Sequence, residues 1–263
     1  MHAALEAARC AGAAALPGFR GTVVAERKAD GSPVTAWDRG AEQAAREWIA
    51  ARFAADGIVG EELGALRPDA ARRWIIDPID GTKSFVRGVP LWGSLVAVVE
   101  GDRVLAGAAV FPALDEAIVA APGEGCWWNG ARCRVSFVSD LARATVLATD
   151  VRSAEAPERA AGWARVSAAA GVARTWGDAF GYLLVATGRA EAMADPRLAI
   201  WDAAPLVPII AEAGGVFSDW DGGRGFAGGS AIATNRALAD DVRRLCGAAA
   251  IVNAATARAA ESR

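Results

Sequence analysis

The chain has 263 residues, of which 53% are hydrophobic and 22% are charged, and its formal net charge at pH 7 is -3. This composition is typical of a globular protein with a sizeable core, and the scattered Lys and Arg residues form no basic stripe for a nucleic-acid backbone. The one histidine, His2, lies at the amino terminus, which argues against Ser-His-Asp triads, Cys-His pairs and phosphohistidine and directs attention to carboxylates, hydroxyls and metal ions.

The predicted elements of the first half lead from helices into strands that end in acids. Residues 2–16 are alanine-rich with helical spacing, and a second helix is predicted from Asp38 to about Ala55. Short buried strands are predicted at 58–60 and 74–76, and each runs directly into acidic residues. Carboxylates at strand ends are well placed to form a site.

The middle of the chain changes to β-type patterning, and the second half alternates strands with helices. Three runs between 91 and 120, separated by turn signals, predict an antiparallel meander. The further predicted elements are a strand at 145–150, helices near 156–170 and 178–188, a strand at 190–195, a helix at 203–213, strands at 215–220 and 231–235, and a helix from 236. This order predicts a layered α/β architecture with mixed rather than purely parallel sheets.

The segment W-I-I-D-P-I-D-G-T has the strongest chemical pattern in the chain. Its proline turn fixes the backbone so that Asp77, Asp80 and the Ile79 carbonyl can converge on cations that prefer oxygen ligands. Gly81 allows a phosphate to approach the backbone closely, and Thr82 adds a hydroxyl near the first turn of a helix, where amide groups favour an anion. The alternative interpretation is an acidic surface turn.

Acids at three other places add to this pattern. Glu61 and Glu62 follow the strand predicted at 58–60, Asp38 ends V-T-A-W-D, and Asp202 lies in I-W-D-A-A-P. Taken singly, a glutamate pair is more often a solvated loop, and an acid at the start of a helix is more often an N-cap. Taken together with D-P-I-D-G-T, these acids supply the oxygen ligands that a metal site needs.

The motifs V-T-A-W-D, G-E-E, W-I-I-D-P-I-D-G-T, W-D-A-A and E-A-G-G occur in this order, and with them the chain resembles the inositol monophosphatase family from about residue 20 to 247. The resemblance implies a layered α-β-α-β-α sandwich of the inositol monophosphatase and fructose-1,6-bisphosphatase type, and usually a homodimer. It also implies a single domain with an N-terminal α+β lobe of about 1–140 and a C-terminal α/β lobe of about 141–250.

The resemblance also implies roles for individual residues. The ligands implied for two or three Mg²⁺ ions are Glu61, Asp77, the Ile79 carbonyl, Asp80 and Asp202. Thr82, paired with Asp38, is implied to orient and deprotonate the attacking water. Gly81 and Thr82 are implied to receive the phosphate, and Glu62 to support the site. Li⁺ is an expected inhibitor, because it competes at one metal position in many members.

Two departures from the family pattern bear on the alcohol part of the substrate. Asp178 stands where inositol enzymes commonly have a small hydroxyl residue, and Asp195 stands where they have the longer Glu. The stretch 174–196 resembles the bacterial histidinol-phosphate phosphatase branch, and extra negative charge suits a cationic alcohol such as that of L-histidinol phosphate. Alternatively, Asp178 caps a helix and Asp195 merely ends a strand. Further candidates for the pocket lining, with packing as the alternative, are Trp92, Trp176 and Asn129.

Other functions stay open beside hydrolysis of L-histidinol phosphate. Relatives that act on inositol 1-phosphate or on other sugar and nucleotide phosphates share the same acidic motifs, so these esters are alternative substrates. An alternative of another class is a metal-binding regulatory protein that has lost catalysis. The presence of every matched acid together with Thr82 argues against that class.

The sequence also predicts the setting in which the chain works. No apolar run is long enough to span a bilayer, and Glu6 and Arg9 interrupt the stretch where a signal peptide needs uncharged residues. The four cysteines lack C-x-x-C spacing, and we interpret them as reduced. We therefore expect a cytoplasmic homodimer whose partner is a small phosphate ester, with no membrane or nucleic-acid partner.

Overall fold

A small hairpin, two larger β-sheets and the helices packed on them form the part of the chain that the computed structural model describes, which is residues 1–21, 23–29, 31–151 and 157–251. The helices are α1 (His2–Ala15), α2 (Ala36–Ala50), α3 (Thr82–Phe85), α4 (Pro157–Ala169), α5 (Asp178–Ala186), α6 (Ile200–Glu212) and α7 (Ala239–Cys246). The strands are β1 (Ala25–Arg27), β2 (Pro33–Thr35), β3 (Gly57–Gly60), β4 (Gly64–Leu66), β5 (Arg72–Asp80), β6 (Gly93–Glu100), β7 (Arg103–Phe111), β8 (Glu116–Ala121), β9 (Gly125–Trp128), β10 (Ala131–Arg132), β11 (Thr145–Leu147), β12 (Val172–Arg174), β13 (Ala192–Asp195), β14 (Val216–Ser218) and β15 (Ala231–Thr234).

The larger sheet has the strand order β10-β9-β8-β7-β6-β5-β3-β4. The strands from β5 to β10 pair antiparallel with their neighbours, as the predicted meander requires, whereas β3 pairs with β5 in parallel. Ile58 lies opposite Trp74 in the parallel pair, so β3 and β5 run toward the same edge of the sheet. The acids after β3 and those at the end of β5 are thereby brought close together.

The smaller sheet has the order β12-β11-β13-β15-β14. Strand β11 pairs in parallel with β12 and β13, and β15 pairs antiparallel with β13 and β14. Both sheets are therefore mixed, which confirms the predicted α/β class. The division into two lobes near residue 140 stays a prediction.

Helices separate and cover the sheets in five layers. Helices α1 and α2 pack together on one face of the larger sheet. Helix α6 lies between the sheets beside α5, because it contacts β6 and β7 on one side and β14 and β15 on the other. Helices α4 and α7 pack together on the outer face of the smaller sheet. This is the predicted α-β-α-β-α sandwich.

Small residues allow these layers to approach closely. The buried face of α1 consists of small side chains, including Ala4, Ala8 and Ala11, so its backbone comes near the sheet and α2. A Cβ on Gly107 of β7 would lie 2.7 Å from the Cα of Pro205 in α6. Glycine at this position therefore sets how closely α6, which carries Asp202, approaches the larger sheet.

Helix α2 begins earlier and ends earlier than the sequence predicts, at Ala36 and Ala50 rather than Asp38 and about Ala55. Its N-cap is Thr35, whose side chain accepts hydrogen bonds from the amides of Trp37 and Asp38. Asp38 lies in the first turn and reciprocates by accepting from the amide of Thr35, which is a capping box.

The predicted strand at 74–76 is part of a longer one, since β5 runs from Arg72 to Asp80. Six strands of two to four residues each were not predicted from the sequence, and these are β1, β2, β4, β9, β10 and β12. Elements this short contain too few residues to show a period.

The predicted start of a helix at 156 lies outside the described residues, and α4 begins at Pro157. Within the described ranges, no helix is long and apolar enough to cross a bilayer.

Candidate active site

A break in the register of β5 aims two aspartates at one place. The pairing of β5 with β6 shifts between Asp77 and Asp80, on either side of Pro78. Pro78 has no N–H to donate to the ladder, and its carbonyl accepts a hydrogen bond from the hydroxyl of Ser94 at 2.6 Å. Residues three apart in a regular strand point to opposite faces, so this irregularity turns both carboxylates to the same side.

Asp202, in the first turn of α6, completes a cluster with these two acids. Ligand oxygens of Asp77, Asp80 and Asp202 all lie within 4.8 Å of one another. Asp202 also accepts a hydrogen bond from the amide of Ala199 at 3.2 Å. It therefore caps its own helix and contributes to the cluster, so the two interpretations of this residue do not exclude each other.

The three carboxylates face one another in a poorly solvated setting. Burial, followed by repulsion from neighbouring acids, raises the pKa values of Asp77 and Asp80 well above the usual value of Asp. Burial likewise raises the pKa of Asp202 to about 7. Ionised carboxylates packed in this way are costly unless cations neutralise them. The cluster therefore fits Mg²⁺, a hard cation that prefers carboxylate and carbonyl oxygens.

The predicted ligand Glu61 lies at the border of this cluster and is held by a lysine. Lys28, between β1 and β2, donates to Glu61 Oε1 at 2.6 Å and to Glu62 Oε1 at 2.5 Å. Glu61 is near enough for its charge to raise the pKa of Asp77. Burial raises the pKa of Glu62 to about 6 although Lys28 opposes this shift. The ligand role of Glu61 stays a prediction.

A buried glutamate fixes the backbone that presents this pair. Glu42 of α2 is 0% exposed and accepts hydrogen bonds from the amides of Glu62 at 2.7 Å and Leu63 at 3.2 Å. Its charge is paired with Arg46 at 2.7 Å. Glu42 therefore determines how the chain turns after β3.

The hydroxyl of Thr82 lies between an acid and a carbonyl. Its Oγ1 is 3.2 Å from Asp38 Oδ1 and 3.0 Å from the Ile79 carbonyl oxygen. The second oxygen of Asp38 accepts hydrogen bonds from the amide of Thr35 at 2.8 Å and from its hydroxyl at 2.6 Å. Burial raises the pKa of Asp38, which is 1% exposed. The structure thus brings together the predicted pair of Thr82 and Asp38.

Gly81 links the aspartate turn to α3 in a conformation that favours glycine. Its φ is 82°, and an added Cβ would lie 2.9 Å from the carbonyl oxygen of Leu91 and 3.0 Å from Asp178 Oδ2. Helix α3 is a single turn of four residues. The roles of Gly81 and Thr82 in receiving the phosphate stay predictions.

The two aspartates predicted to contact the substrate have different surroundings. Asp178 is the first residue of α5, beside Gly81, and burial followed by repulsion from Asp195 raises its pKa to about 6. Asp195, at the end of β13, is 2% exposed. Its two oxygens accept hydrogen bonds from the amide of Thr149 and the hydroxyl of Tyr182, both at 2.9 Å. Asp178 borders the cluster, and Asp195 lies behind it with both oxygens engaged.

Two further candidates for the pocket lining make structural contacts, and for Trp92 this agrees with the alternative of packing. Trp92 is fully buried, with its ring centroid 4.9 Å from that of Phe85. Asn129 closes a turn, because its side chain accepts from the amide of Ala117 at 2.7 Å and donates to the carbonyl of Asp115 at 3.0 Å. Trp176, which is 44% exposed, is still a candidate.

Three residues of the site were not predicted from the sequence, and these are Lys28, Glu42 and Thr149. Glu42 lies one helical turn after Asp38, and this spacing is the signal that could have placed it on the same buried face. Thr149 is the second-to-last residue of the predicted strand at 145–150, and polar residues commonly enter a site near the end of a strand. Lys28 lies in no recognisable pattern.

The layered architecture and the acid cluster define the class of protein. A family model described as "Inositol monophosphatase family" matches residues 1–260. The chain belongs to the inositol monophosphatase family and is a phosphoric monoester hydrolase.

Individual relatives are similar over nearly the full length. The histidinol-phosphatase of Chlorobaculum parvum is 40% identical over 241 residues, which cover 90% of this chain and 93% of the relative. Among solved structures, the extragenic suppressor protein suhB from Bartonella henselae has a TM-score of 0.87 and 26% identity, covering 94% of this chain and 97% of that one. An inositol monophosphatase from Zymomonas mobilis has a TM-score of 0.83 and 32% identity, covering 94% and 96%.

Proposed function

We propose that this chain is a Mg²⁺-dependent phosphatase that hydrolyses L-histidinol phosphate to L-histidinol and phosphate. The observation that carries the proposal is the cluster of Asp77, Asp80 and Asp202, whose ligand oxygens lie within 4.8 Å of one another. The substrate assignment is supported by the histidinol-phosphatase of Chlorobaculum parvum, which is 40% identical. The carboxylate of Asp178 beside Gly81 adds negative charge near the cluster, and such charge favours a cationic alcohol.

Two or three Mg²⁺ ions are proposed to bind here, with Asp77, Asp80 and Asp202 as ligands and Glu61 and the Ile79 carbonyl beside them. Bound Mg²⁺ supplies positive charge that neutralises phosphate oxygens, stabilises the leaving oxygen and makes nearby water more acidic. The raised pKa values of the acids support this site, because a buried anionic cluster gains most from a divalent cation.

Thr82 and Asp38 handle the proton of the attacking water in this proposal. The hydroxyl of Thr82 accepts a hydrogen bond from the water and donates its own proton to Asp38 Oδ1, 3.2 Å away. Thr35 keeps the carboxylate of Asp38 aligned through two hydrogen bonds. The water attacks phosphorus in line, the bond between phosphorus and the alcohol oxygen breaks, and no phosphoenzyme forms. Glu62, which shares Lys28 with Glu61, is proposed to support the site from its border.

Inositol 1-phosphate is the second candidate substrate, and the similarity to the inositol monophosphatase from Zymomonas mobilis favours it. Other sugar and nucleotide phosphates belong to the same alternative. A regulatory protein that has lost catalysis is the alternative of another class. The complete acid cluster and the pair of Thr82 and Asp38 favour an enzyme.

A substrate panel on the purified protein tests the proposal. Release of phosphate is measured from L-histidinol phosphate, inositol 1-phosphate and a 3′,5′-nucleotide bisphosphate, each with Mg²⁺ and with EDTA. We expect the highest kcat/KM for L-histidinol phosphate and no activity in EDTA or in the Asp80→Asn variant. Preference for inositol 1-phosphate would overturn the substrate, and full activity in EDTA would overturn the metal mechanism.

The setting of the enzyme is also part of the proposal. We propose a homodimer in the cytoplasm, with the small phosphate ester as its partner and Li⁺ as an inhibitor. The free thiols of Cys10, Cys126, Cys133 and Cys246 support a reducing compartment. Light scattering coupled to size-exclusion chromatography measures the oligomeric state, and an Li⁺ titration of the phosphatase assay measures the inhibition.

A further inference from the structure

We propose that Thr149, Asp195 and Tyr182 form a positioning relay that holds Asp178 against the active site, where its carboxylate receives the positive charge of the substrate's alcohol. Asp195 is then a positioning residue rather than a substrate contact. The inference rests on the proposed function, because it names the groups that select a cationic ester over a neutral one.

The backbone of Asp178 shows that its position is imposed by its surroundings. Its φ is 52°, in the left-handed region that residues other than glycine rarely adopt. A residue is held in such a conformation where neighbouring groups determine it, and conformations of this kind concentrate at functional sites.

The neighbouring groups form a chain of hydrogen bonds that joins α5, the end of β13 and the segment after β11. The amide of Asp178 donates to Thr149 Oγ1 at 2.8 Å. The amide of Thr149 donates to Asp195 Oδ1 at 2.9 Å, and the hydroxyl of Thr149 is also hydrogen-bonded to Asp195. The hydroxyl of Tyr182 donates to Asp195 Oδ2 at 2.9 Å. Asp195 is 2% exposed and Tyr182 is 0% exposed, so the relay is anchored in the core.

The left-handed turn presents two groups to the cluster at once. Asp178 Oδ2 lies 3.0 Å from the position that a Cβ on Gly81 would take, so the carboxylate faces the aspartate turn. The next amide, that of Ala179, donates to Asp80 Oδ2 at 2.5 Å. Holding Asp178 in place therefore also orients the metal ligand Asp80.

The carboxylate of Asp178 lacks a partner of its own in the described part of the chain. No described side chain forms an ion pair or hydrogen bond with it, and it is not one of the mutually close oxygens of Asp77, Asp80 and Asp202. The positive charge of Lys83 attracts the carboxylate of Asp178 only over a longer distance, without forming an ion pair. An unpaired carboxylate beside a metal site is satisfied when a substrate brings an ammonium or imidazolium group to it.

The test compares kcat/KM and KM for L-histidinol phosphate and for inositol 1-phosphate, with Mg²⁺, in a set of variants. We expect Asp178→Asn to raise KM for L-histidinol phosphate by about 10- to 100-fold, which is the range for losing a hydrogen bond to a charged group. The KM for inositol 1-phosphate, the neutral ester, should change much less. Thr149→Val, which removes the acceptor without changing the shape, is expected to shift the ratio of the two kcat/KM values in the same direction. Thr149→Ser, which keeps the hydroxyl, should restore the wild-type ratio of the two kcat/KM values.

A matched control variant and a separate measurement of folding show which proposal each result contradicts. Thr187→Val removes another hydrogen-bonded hydroxyl at the end of α5, away from the site, and should leave the ratio unchanged. Asp195→Asn tests a second residue of the relay. Thermal unfolding shows whether each variant is folded. An unchanged ratio in folded Thr149→Val, or an equal loss on both substrates, overturns the relay. A wild-type preference for the neutral ester instead overturns the proposed substrate.

Discussion

Each aspartate of the metal cluster is oriented by a backbone amide. The donors are Ile79 N to Asp77 at 3.0 Å, Ala179 N to Asp80 at 2.5 Å and Ala199 N to Asp202 at 3.2 Å. One oxygen of each carboxylate is thereby fixed, and the side chains of Asp77 and Asp202 are also hydrogen-bonded to each other. The amides favour the ionised forms, yet burial outweighs them and raises all three pKa values.

Replacing Asp202 with Asn is expected to stabilise the metal-free protein at about pH 8. Burial raises the pKa of Asp202 from 3.8 to about 7, so the folded state favours the protonated carboxyl. That contribution is fully present below about pH 4 and is lost as the pH rises through about 7. Asn carries no charge and can still accept from the amide of Ala199. We expect a gain on the order of 1 kcal/mol in EDTA, measured by thermal unfolding.

The same experiment has a control in the exposed turn between β6 and β7. Asp102→Asn removes one negative charge there and should leave the unfolding temperature unchanged. With Mg²⁺ present, wild-type protein should unfold at a higher temperature than Asp202→Asn, because the variant has lost a metal ligand. A destabilised Asp202→Asn protein in EDTA at about pH 8 would show that charge repulsion does not limit the metal-free state.

Thr82→Val is expected to lower kcat by about 10²- to 10⁴-fold while Mg²⁺ binding changes little. Val matches the shape of Thr but cannot pass a proton to Asp38, 3.2 Å away. Thr82→Ser keeps the hydroxyl and should retain much of the activity. Phosphate release measures kcat, and calorimetry measures Mg²⁺ binding. Equal activity of the Val and Ser variants would remove Thr82 from the proton path.

The metal-cluster acids could be predicted from the sequence because they lie in short motifs with a rigid spacing. The partners that hold them could not. Lys28 reaches Glu61 across 33 positions, and Ala179 reaches Asp80 across 99. No local pattern encodes such contacts, since they depend on how the layers pack. The hydrogen bonds from Thr149 and Tyr182 to Asp195 likewise could not be predicted from a local pattern.

At the scale of elements, the hairpin of β1 and β2 brings a lysine against the glutamate pair. Hydrogen bonds to Glu61 and Glu62 raise the pKa of Lys28, although burial opposes them, so the ammonium is retained there. A divalent cation that uses Glu61 as a ligand competes with this ammonium for the same carboxylate. The hairpin therefore competes with the metal for the border of the site.

Lys28→Gln is expected to increase the affinity of the metal-free protein for Mg²⁺ by about 3- to 10-fold, since it removes a competing charge from a partly buried pair. Isothermal calorimetry measures the affinity without reference to activity. Arg39→Gln is the matched control, because Arg39 pairs with Glu26 on the same hairpin but is more exposed. Weaker Mg²⁺ binding in Lys28→Gln would mean that the lysine holds Glu61 in place for the metal.

At the scale of the whole molecule, the active site lies where the layers meet. The larger sheet supplies the end of β5, and the middle helices supply Asp178 and Asp202. The order of the long elements was enough to predict a layered α/β class with mixed sheets, because the meander and the later alternation have clear periods, whereas the five layers were implied by the family resemblance. The convergence of Asp77 and Asp80 around Pro78 was expected from the proline turn. The hairpin of β1 and β2 was not predicted, because strands of three residues are too short to show a period.

Mg²⁺ is expected to raise the unfolding temperature more at about pH 8 than at about pH 5. Protons and Mg²⁺ compete for the same carboxylates, and the pKa of Asp202 is about 7 while those of Asp77 and Asp80 are well above their usual value. At the lower pH the ion has to displace protons, whereas at the higher pH it relieves repulsion. Saturating Mg²⁺, at about 100 times its Kd, adds about 2.7 kcal/mol to a folded state that alone binds it. Calorimetry with and without Mg²⁺, against a choline salt of equal ionic strength, measures the difference, and equal shifts at both pH values would place the binding outside this cluster.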